Sequence, residues 1–317
     1  MSDSQAASRR SIAAVAAAAI LLAVVVGAGT VQSPQERYLV IHSDDAGFSA
    51  AVNEATIRAM ERGVVSSASI MVMCPGFDEI ADYAISHPEK DFGIHLTLTC
   101  ESNNFRWGPV LKGQVASLVQ PDGSFWRKSE QVADHAKPDD VDRELRAQVR
   151  RALDRGIPIS HLDHHMWVLL QRPEFLRIYV QLGLDFHLPI RLHRVFTPAE
   201  CGPMLQNAEE YQSLIQPLKT RGSPLFDFIE TGNYDVPPDQ KRAYFLKTLR
   251  ELKPGVSEFV IHCSANRPGT PLPNAQDRRE ADARVFTSLE MQDEIRRLGI
   301  KVVNWKELRR LRDGGKI

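Results

Sequence analysis

Four short clusters of ionisable residues stand at the ends of apolar runs, and their types suit metal-assisted hydrolysis. They are His42-Ser43-Asp44-Asp45, His95 within Gly93-Ile94-His95-Leu96, His161-Leu162-Asp163-His164-His165, and His262 after Val260-Ile261. Adjacent carboxylates repel, so Asp44 and Asp45 can share a pocket only with a cation or a shared proton. A divalent metal meets that need: one aspartate binds it, and the other remains a base near the metal's water. His95 and His165 lie 50 and 120 residues beyond Asp45. That spacing excludes a local finger or an H-E-x-x-H helix and requires a site assembled by the fold. Two histidines and one carboxylate leave positions open for water and a substrate oxygen.

Two further residues fit supporting parts. His262 has the residue type of a general acid. Arg191, ending Leu188-Pro189-Ile190-Arg191, has that of a cation holding the free carboxylate ionised and oriented. Asp227 and Glu230 also fall near a strand end, with no chemistry beyond surface or support. Taken singly, each residue has a bland reading: an Asp-Asp pair is commonly a turn, and a strand histidine a satisfied core residue. Their coincidence at successive strand ends raises the functional reading, because buried ionisable groups cost free energy unless paired or metal-bound.

Positioning them falls to an alternation of two patterns. Apolar runs at 38–41, 69–73, 92–98, 157–162, 188–192, 258–261 and 300–303 read as strands, the first as one covered on both faces, with 226–229 a further candidate. Amphipathic stretches at 49–63, 75–86, 140–155, 174–182, 240–252 and 280–298 read as helices, with Ser49 as a cap and Gly63 and Gly156 as stops. About seven strands alternating with helices make a parallel sheet. An open doubly wound sheet and a closed barrel both fit the count. No G-x-G-x-x-G follows the first strand, so a barrel is expected, with the polar clusters at one mouth. Residues 101–137 break the rhythm and hold Phe105, Trp107, Phe125 and Trp126, the composition expected of a substrate lid.

The totals exclude other classes. The 317 residues are 43% hydrophobic, and 39 basic residues against 40 acidic give a net charge of −1. That argues against disorder and against a nucleic-acid partner. Residues 1–33 combine Arg9 and Arg10 with a long apolar run and small residues, as in a signal peptide; an uncleaved anchor is the alternative. The catalytic part is therefore expected outside the cytoplasm, with membrane contact only through that segment. Cys74, Cys100, Cys201 and Cys263 show no C-x-x-C spacing, so a thiolate metal site is not expected.

The motifs resemble those of the YdjC-like carbohydrate deacetylases. Ser43-Asp44-Asp45-Ala46-Gly47-Phe48-Ser49 matches A-D-D-F-G-x-S, and Val64-Val65-Ser66-Ser67-Ala68-Ser69 resembles G-x-V-T-S-x-S. Gly93-Ile94-His95-Leu96 resembles G-x-H-x-x-L, the run from His161 to His165 resembles H-x-D-S-H-x-H, and Glu258 to His262 resembles E-x-x-x-H-P-G. The resemblance implies an α/β fold, a distorted seven-stranded (β/α) TIM-like barrel over 36–313. It implies Asp45, His95 and His165 as ligands of one divalent ion, Mg²⁺ or Zn²⁺, with Asp44 as base and Arg191 and His262 in support. Two histidine ligands favour Zn²⁺. This chain departs from the pattern at Ala46 (for Phe), at His164 (for Ser), at Met166 and Trp167 (where histidines are frequent), and at Cys263-Ser264 (for Pro-Gly).

The expected activity is metal-dependent removal of an N-acetyl group from an amino sugar, the N-acetylated sugar being the partner. Two alternatives stand beside it: hydrolysis of another sugar-linked bond, and a non-catalytic carbohydrate-binding barrel. A glycosidase would need two separated carboxylates, which an adjacent pair does not supply.

Overall fold

In the computed structural model, parallel strands and helices alternate through residues 36–102, 105–195, 208–267 and 275–317, the described part of the chain. The expected signal at 1–33 and Cys201 lie outside these residues. The strands are β1 (Arg37–Ala46), β2 (Ser67–Ile70), β3 (Phe92–Leu96), β4 (Ile159–His164), β5 (Phe228–Glu230), β6 (Gly255–Ile261) and β7 (Lys301–Val302). The helices are α1 (Ala50–Arg62), α2 (Phe77–Ser86), α3 (Ser129–His135), α4 (Pro138–Arg155), α5 (Pro173–Asp185), α6 (Ala208–Thr220), α7 (Lys241–Glu251), α8 (Gln276–Thr287), α9 (Leu289–Arg297) and α10 (Trp305–Asp313). None of them is long and apolar enough to cross a membrane.

The sheet runs β4-β3-β2-β1-β6-β5, every pairing parallel, with β7 on the start of β1. The expected strand at 188–192 is instead irregular backbone. It still bridges from Ile190 to Leu162 and from His193 to Phe226, in parallel sense. Backbone hydrogen bonds accompany these bridges: Leu162 N to Pro189 O (2.9 Å), Arg191 N to Leu162 O (2.9 Å) and Phe226 N to Leu192 O (3.0 Å).

Alternation along β1 sorts side chains between two cores, since successive strand residues face opposite ways. Leu39 and Ile41 join the large core that also holds Val52, Ala55 and Ala59 of α1. Tyr38 and Val40 face a smaller one with Phe226, Val256, Val260 and Trp305. His42 and Asp44 continue that second face, and there the apolar lining gives way to polar groups.

Local sequence explains the helix ends. The Ser49 hydroxyl accepts from Val52 N–H and starts α1. Gly156 ends α4 in the left-handed region at φ 91°, as expected of a glycine stop. Gly63 ends α1 for a different reason: its φ is −111°, and a Cβ there would collide with the Phe286 carbonyl.

Several expectations need correction. The helix expected at 280–298 is two helices, because Ser288 leaves the helical region and recaps α9 through Met291 N–H. Helices α3, α6 and α10 are not foreshadowed by the sequence pattern; Pro217 lies inside α6 and masks its periodicity. The 101–137 segment is pinned and partly helical. Glu144 of α4 accepts from Val110 N–H (2.9 Å) and Leu111 N–H (3.0 Å). Trp107 and Phe125 are buried, and the Trp107 and Trp126 indoles donate to Thr99 O and Ser117 O.

Candidate active site

The polar face is built by period two. Ser67 and Ser69 of β2, His95 of β3, His161 and Asp163 of β4, and Glu258 of β6 share the face of His42 and Asp44, as their polar contacts and the His42–His161 ring contact show. Gly93 belongs to the same face, and a Cβ there would strike the His161 ring. Strict alternation would turn Asp45 away from Asp44. It does not, because Asp45 adopts φ 67° where the β1–β2 register shifts between Ser43 and Ala46. A non-glycine residue in the left-handed region is strained and is commonly found at functional sites. The turn is held by Phe48 N–H on Asp45 O (3.0 Å) and Met71 N–H on Ala46 O (2.8 Å).

Three donor atoms converge there. Asp45 Oδ1 lies 3.3 Å from His95 Nε2 and 3.4 Å from His165 Nδ1, and the two nitrogens are 3.2 Å apart. Each imidazole is tied from behind by a carboxylate: His95 Nδ1 to Asp163 Oδ1 at 2.8 Å, and His165 Nε2 to Glu101 Oε1 at 2.9 Å. A carboxylate only accepts, so those nitrogens carry the protons and the facing ones can present lone pairs. Among the described residues Asp45 Oδ1 has no hydrogen-bond partner, while Oδ2 accepts from Arg279 Nη2 at 2.7 Å. The donor set fits a cation. The field agrees: burial disfavours charge on His95, yet Asp163 and Asp44 outweigh it and hold that imidazole well above its usual range. Burial likewise opposes charge on His165, but Glu101 and Asp45 push it up to about 9.

Asp44 is placed as a separate group. Arg191 Nη2 and Nη1 donate to its Oδ1 and Oδ2 at 2.9 and 3.3 Å, a forked contact. His42 Nε2 approaches Oδ1 at 3.3 Å. Burial alone would raise the Asp44 pKa, but Arg191 and His95 overcome it and keep the carboxyl below its usual range. The same guanidinium serves Asp163 Oδ2 (2.9 Å) and Glu258 Oε2 (2.9 Å), so one buried cation organises three carboxylates. Its backbone is fixed in turn, with Arg191 N–H on Tyr179 Oη at 3.1 Å.

A cavity of about 310 Å³ opens beside these groups, lined by Asp44, Asp45, His165, Arg191 and His262 together with Glu101, Met166, Trp167, Tyr234 and Arg279. Burial and the Arg279 charge drive His262 down to about 3, so it is a neutral imidazole at rest. Its backbone N–H is held by Asp282 Oδ2 at 3.1 Å. Thus all six residues singled out from the sequence, Asp44, Asp45, His95, His165, Arg191 and His262, meet at one end of the sheet. Asp227 does not: it pairs with Arg194 at 2.7 Å. Glu230 supports a neighbouring loop through Asn233 (2.6 Å). None of Phe105, Trp107, Phe125 or Trp126 lines the cavity; its aromatic walls are Trp167 and Tyr234.

Sequence reasoning missed four contributors. Asp163 and Glu258 sit within quoted motifs at the alternate positions that share a face with His165 and His262, a period-two signal open to reading. Glu101 directly follows the run after β3. Arg279, within Asp277-Arg278-Arg279-Glu280, looks like part of a solvated helix face and gives no signal.

Comparison with known proteins places this arrangement in a family. A carbohydrate deacetylase of Brevibacillus brevis is 35% identical over 162 residues, 51% of this chain and 62% of that protein. One from Enterococcus faecalis is 29% identical over 280 residues, 85% of this chain and 97% of that protein. The first of these matches, like one from Geobacillus stearothermophilus, spans about 62% of the relative's length. A crystal structure of an E. faecalis protein assigned to cellobiose-phosphate cleavage superposes with a TM-score of 0.71 at 25% identity, covering 86% of this chain and 99% of that one. The model of the YdjC-like proteins matches residues 38–297, which takes in all six candidate residues. The chain belongs to the YdjC-like protein family.

Proposed function

We propose that this chain is a metal-dependent hydrolase that removes the acetyl group from an N-acetylated amino sugar. The observation that carries the reading is the convergence of Asp45 Oδ1, His95 Nε2 and His165 Nδ1 within 3.2–3.4 Å of one another, beside an arginine-held Asp44. Two imidazole nitrogens beside one carboxylate oxygen favour Zn²⁺ over Mg²⁺, which prefers an all-oxygen shell. The names of the relatives support deacetylation of a carbohydrate. The bridges at Ile190 and His193 support a distorted seven-stranded barrel over 36–313, and the segment 1–33 supports export.

Asp45, His95 and His165 would hold the divalent cation, which when bound would supply Lewis acidity toward the acetyl carbonyl and lower the pKa of water. Asp44 receives the proton of the attacking water, ionised and aimed by Arg191. Asp163 and Glu101 fix the two imidazoles. His262 stands in the same cavity; neutral at rest, it would take up the proton that Asp44 removes from water before passing it to the leaving nitrogen.

The test is elemental analysis of the purified protein with acetate release from N-acetylglucosamine and its oligomers. About one zinc per chain and acetate release abolished by chelation are expected. Sugar binding without acetate release would leave the non-catalytic carbohydrate-binding reading in its place.

A further inference from the structure

The turn that follows β4 carries a feature the hydrolytic machinery does not use. Met166 and Trp167 both adopt left-handed backbone, at φ 52° and 55°, in two consecutive residues that both bear side chains. Such a conformation persists only where its surroundings hold it. Here Ser129 Oγ of α3 donates to Met166 O at 2.6 Å. The reversal lets His165 face the three-atom cluster while Trp167, two residues on, joins the wall of the same cavity. Met166 is 49% exposed at its rim.

Beside Trp167 stands His164, 4% exposed and also lining the cavity. Its ring meets Trp167 edge-on at 5.4 Å and Tyr179 at 5.2 Å. Neither His164 Nδ1 nor Nε2 has a hydrogen-bond partner among the described residues. A buried polar group without a partner is destabilising, and a site for a polar ligand is one reason for it to persist. The remaining apolar wall is Tyr234 with Val260. A volume of about 310 Å³ sits at the lower end of the range that small-ligand pockets occupy, roughly 300–1,000 Å³.

We propose that Trp167 and His164 form the recognition subsite for a single pyranose ring, Trp167 taking the apolar face of the sugar and His164 hydrogen-bonding a ring hydroxyl. The inference rests on the deacetylase reading for its choice of sugar, but it concerns binding and not turnover. An aromatic ring offers a flat apolar surface that suits the C–H face of a pyranose. A ring nitrogen left unpaired discriminates against a sugar lacking the matching hydroxyl.

The experiment titrates the metal-loaded full chain with N-acetylglucosamine by calorimetry and by tryptophan fluorescence, in parallel with acetate release. Trp167→Ala should raise Kd and KM roughly tenfold, with kcat and metal content close to wild type. Trp167→Phe should restore most of the affinity while abolishing the fluorescence change. His164→Ser should weaken binding of the parent sugar more than that of the analogue lacking the bonded hydroxyl. Loss of metal or of kcat at unchanged KM in Trp167→Ala would show that the turn merely supports His165, and would overturn the proposal. So would a wild-type protein that binds no N-acetylated sugar. A wild type that binds the sugar with this Trp167 dependence but releases no acetate would uphold the subsite and remove the deacetylase reading. Acetate release indifferent to Trp167 would do the reverse.

Discussion

Asp163 Oδ1 lies 2.8 Å from His95 Nδ1, so the carboxylate that orients one candidate ligand stands two positions before the other, His165, on the same stretch of chain. Asp163→Asn keeps the shape but lets an amide N–H face the imidazole, which releases the fixed tautomer. Metal affinity should fall about 10–100-fold, read by competition with a chromophoric chelator. An unchanged affinity would remove Asp163 from this role.

Asp44→Asn tests the base. The neutral carboxamide oxygen that this substitution leaves still accepts from Arg191, so the fold and metal content should persist. Acetate release should fall by roughly 10²–10⁴. Arg191→Lys should also lower the rate, because an ammonium cannot reproduce the fork that reaches Asp44, Asp163 and Glu258 together. Wild-type turnover in Asp44→Asn would transfer the base to another residue.

The buried Lys241–Asp282 pair, 2.6 Å apart, lies behind His262, whose backbone N–H the same carboxylate accepts. Lys241→Met leaves that carboxylate uncompensated and should destabilise the protein by about 3–5 kcal/mol. Urea unfolding of the two proteins at pH 7.5 measures the difference.

Acid should weaken the fold early. Burial, aided by the charge of His42, holds His161 at about 4 despite its contact with Asp91. Burial with nearby Arg191 or Arg279 holds His164 and His262 at about 3. All three folded values lie below the unfolded one of about 6.5, so the unfolded chain takes up protons first as pH drops. Their contribution is complete above about pH 6.5 and is lost toward about pH 4 for His161 and about pH 3 for His164 and His262, at up to about 1.4 kcal/mol per pH unit for each histidine. Urea midpoints at pH 7, 5.5 and 4.5 should fall in that order, and more gently in His161→Gln.

Much of this site is legible because its chemistry sits at strand ends, where polar letters interrupt apolar runs. Asp44, His95 and His165 stand out for that reason. Asp163 and Glu258 escape notice when those strands are taken as continuous apolar runs, although counting back every second residue from His165 or His262 leads to them along the same polar face. Arg279 is different in kind: its position follows from α8 packing against α1 and α7, a tertiary fact with no local signature. The aromatic residues of 101–137 mislead for the opposite reason. Composition shows rings in a loop, but not that the Trp126 N–H is satisfied by the loop's own Ser117 carbonyl and the Trp107 N–H by Thr99 just ahead of it.

The left-handed Asp45 has a consequence for recognising or building such centres. Two aspartates in succession at the end of an ordinary strand would stand back to back, one in the core and one in the cavity. Here a one-residue irregularity brings them side by side, so the unit that could be transplanted to another scaffold is the strained Asp45-Ala46-Gly47 corner with its pins on Phe48 and Met71. A designer who copied the dipeptide without that corner would reproduce the letters and lose the side-by-side carboxylates.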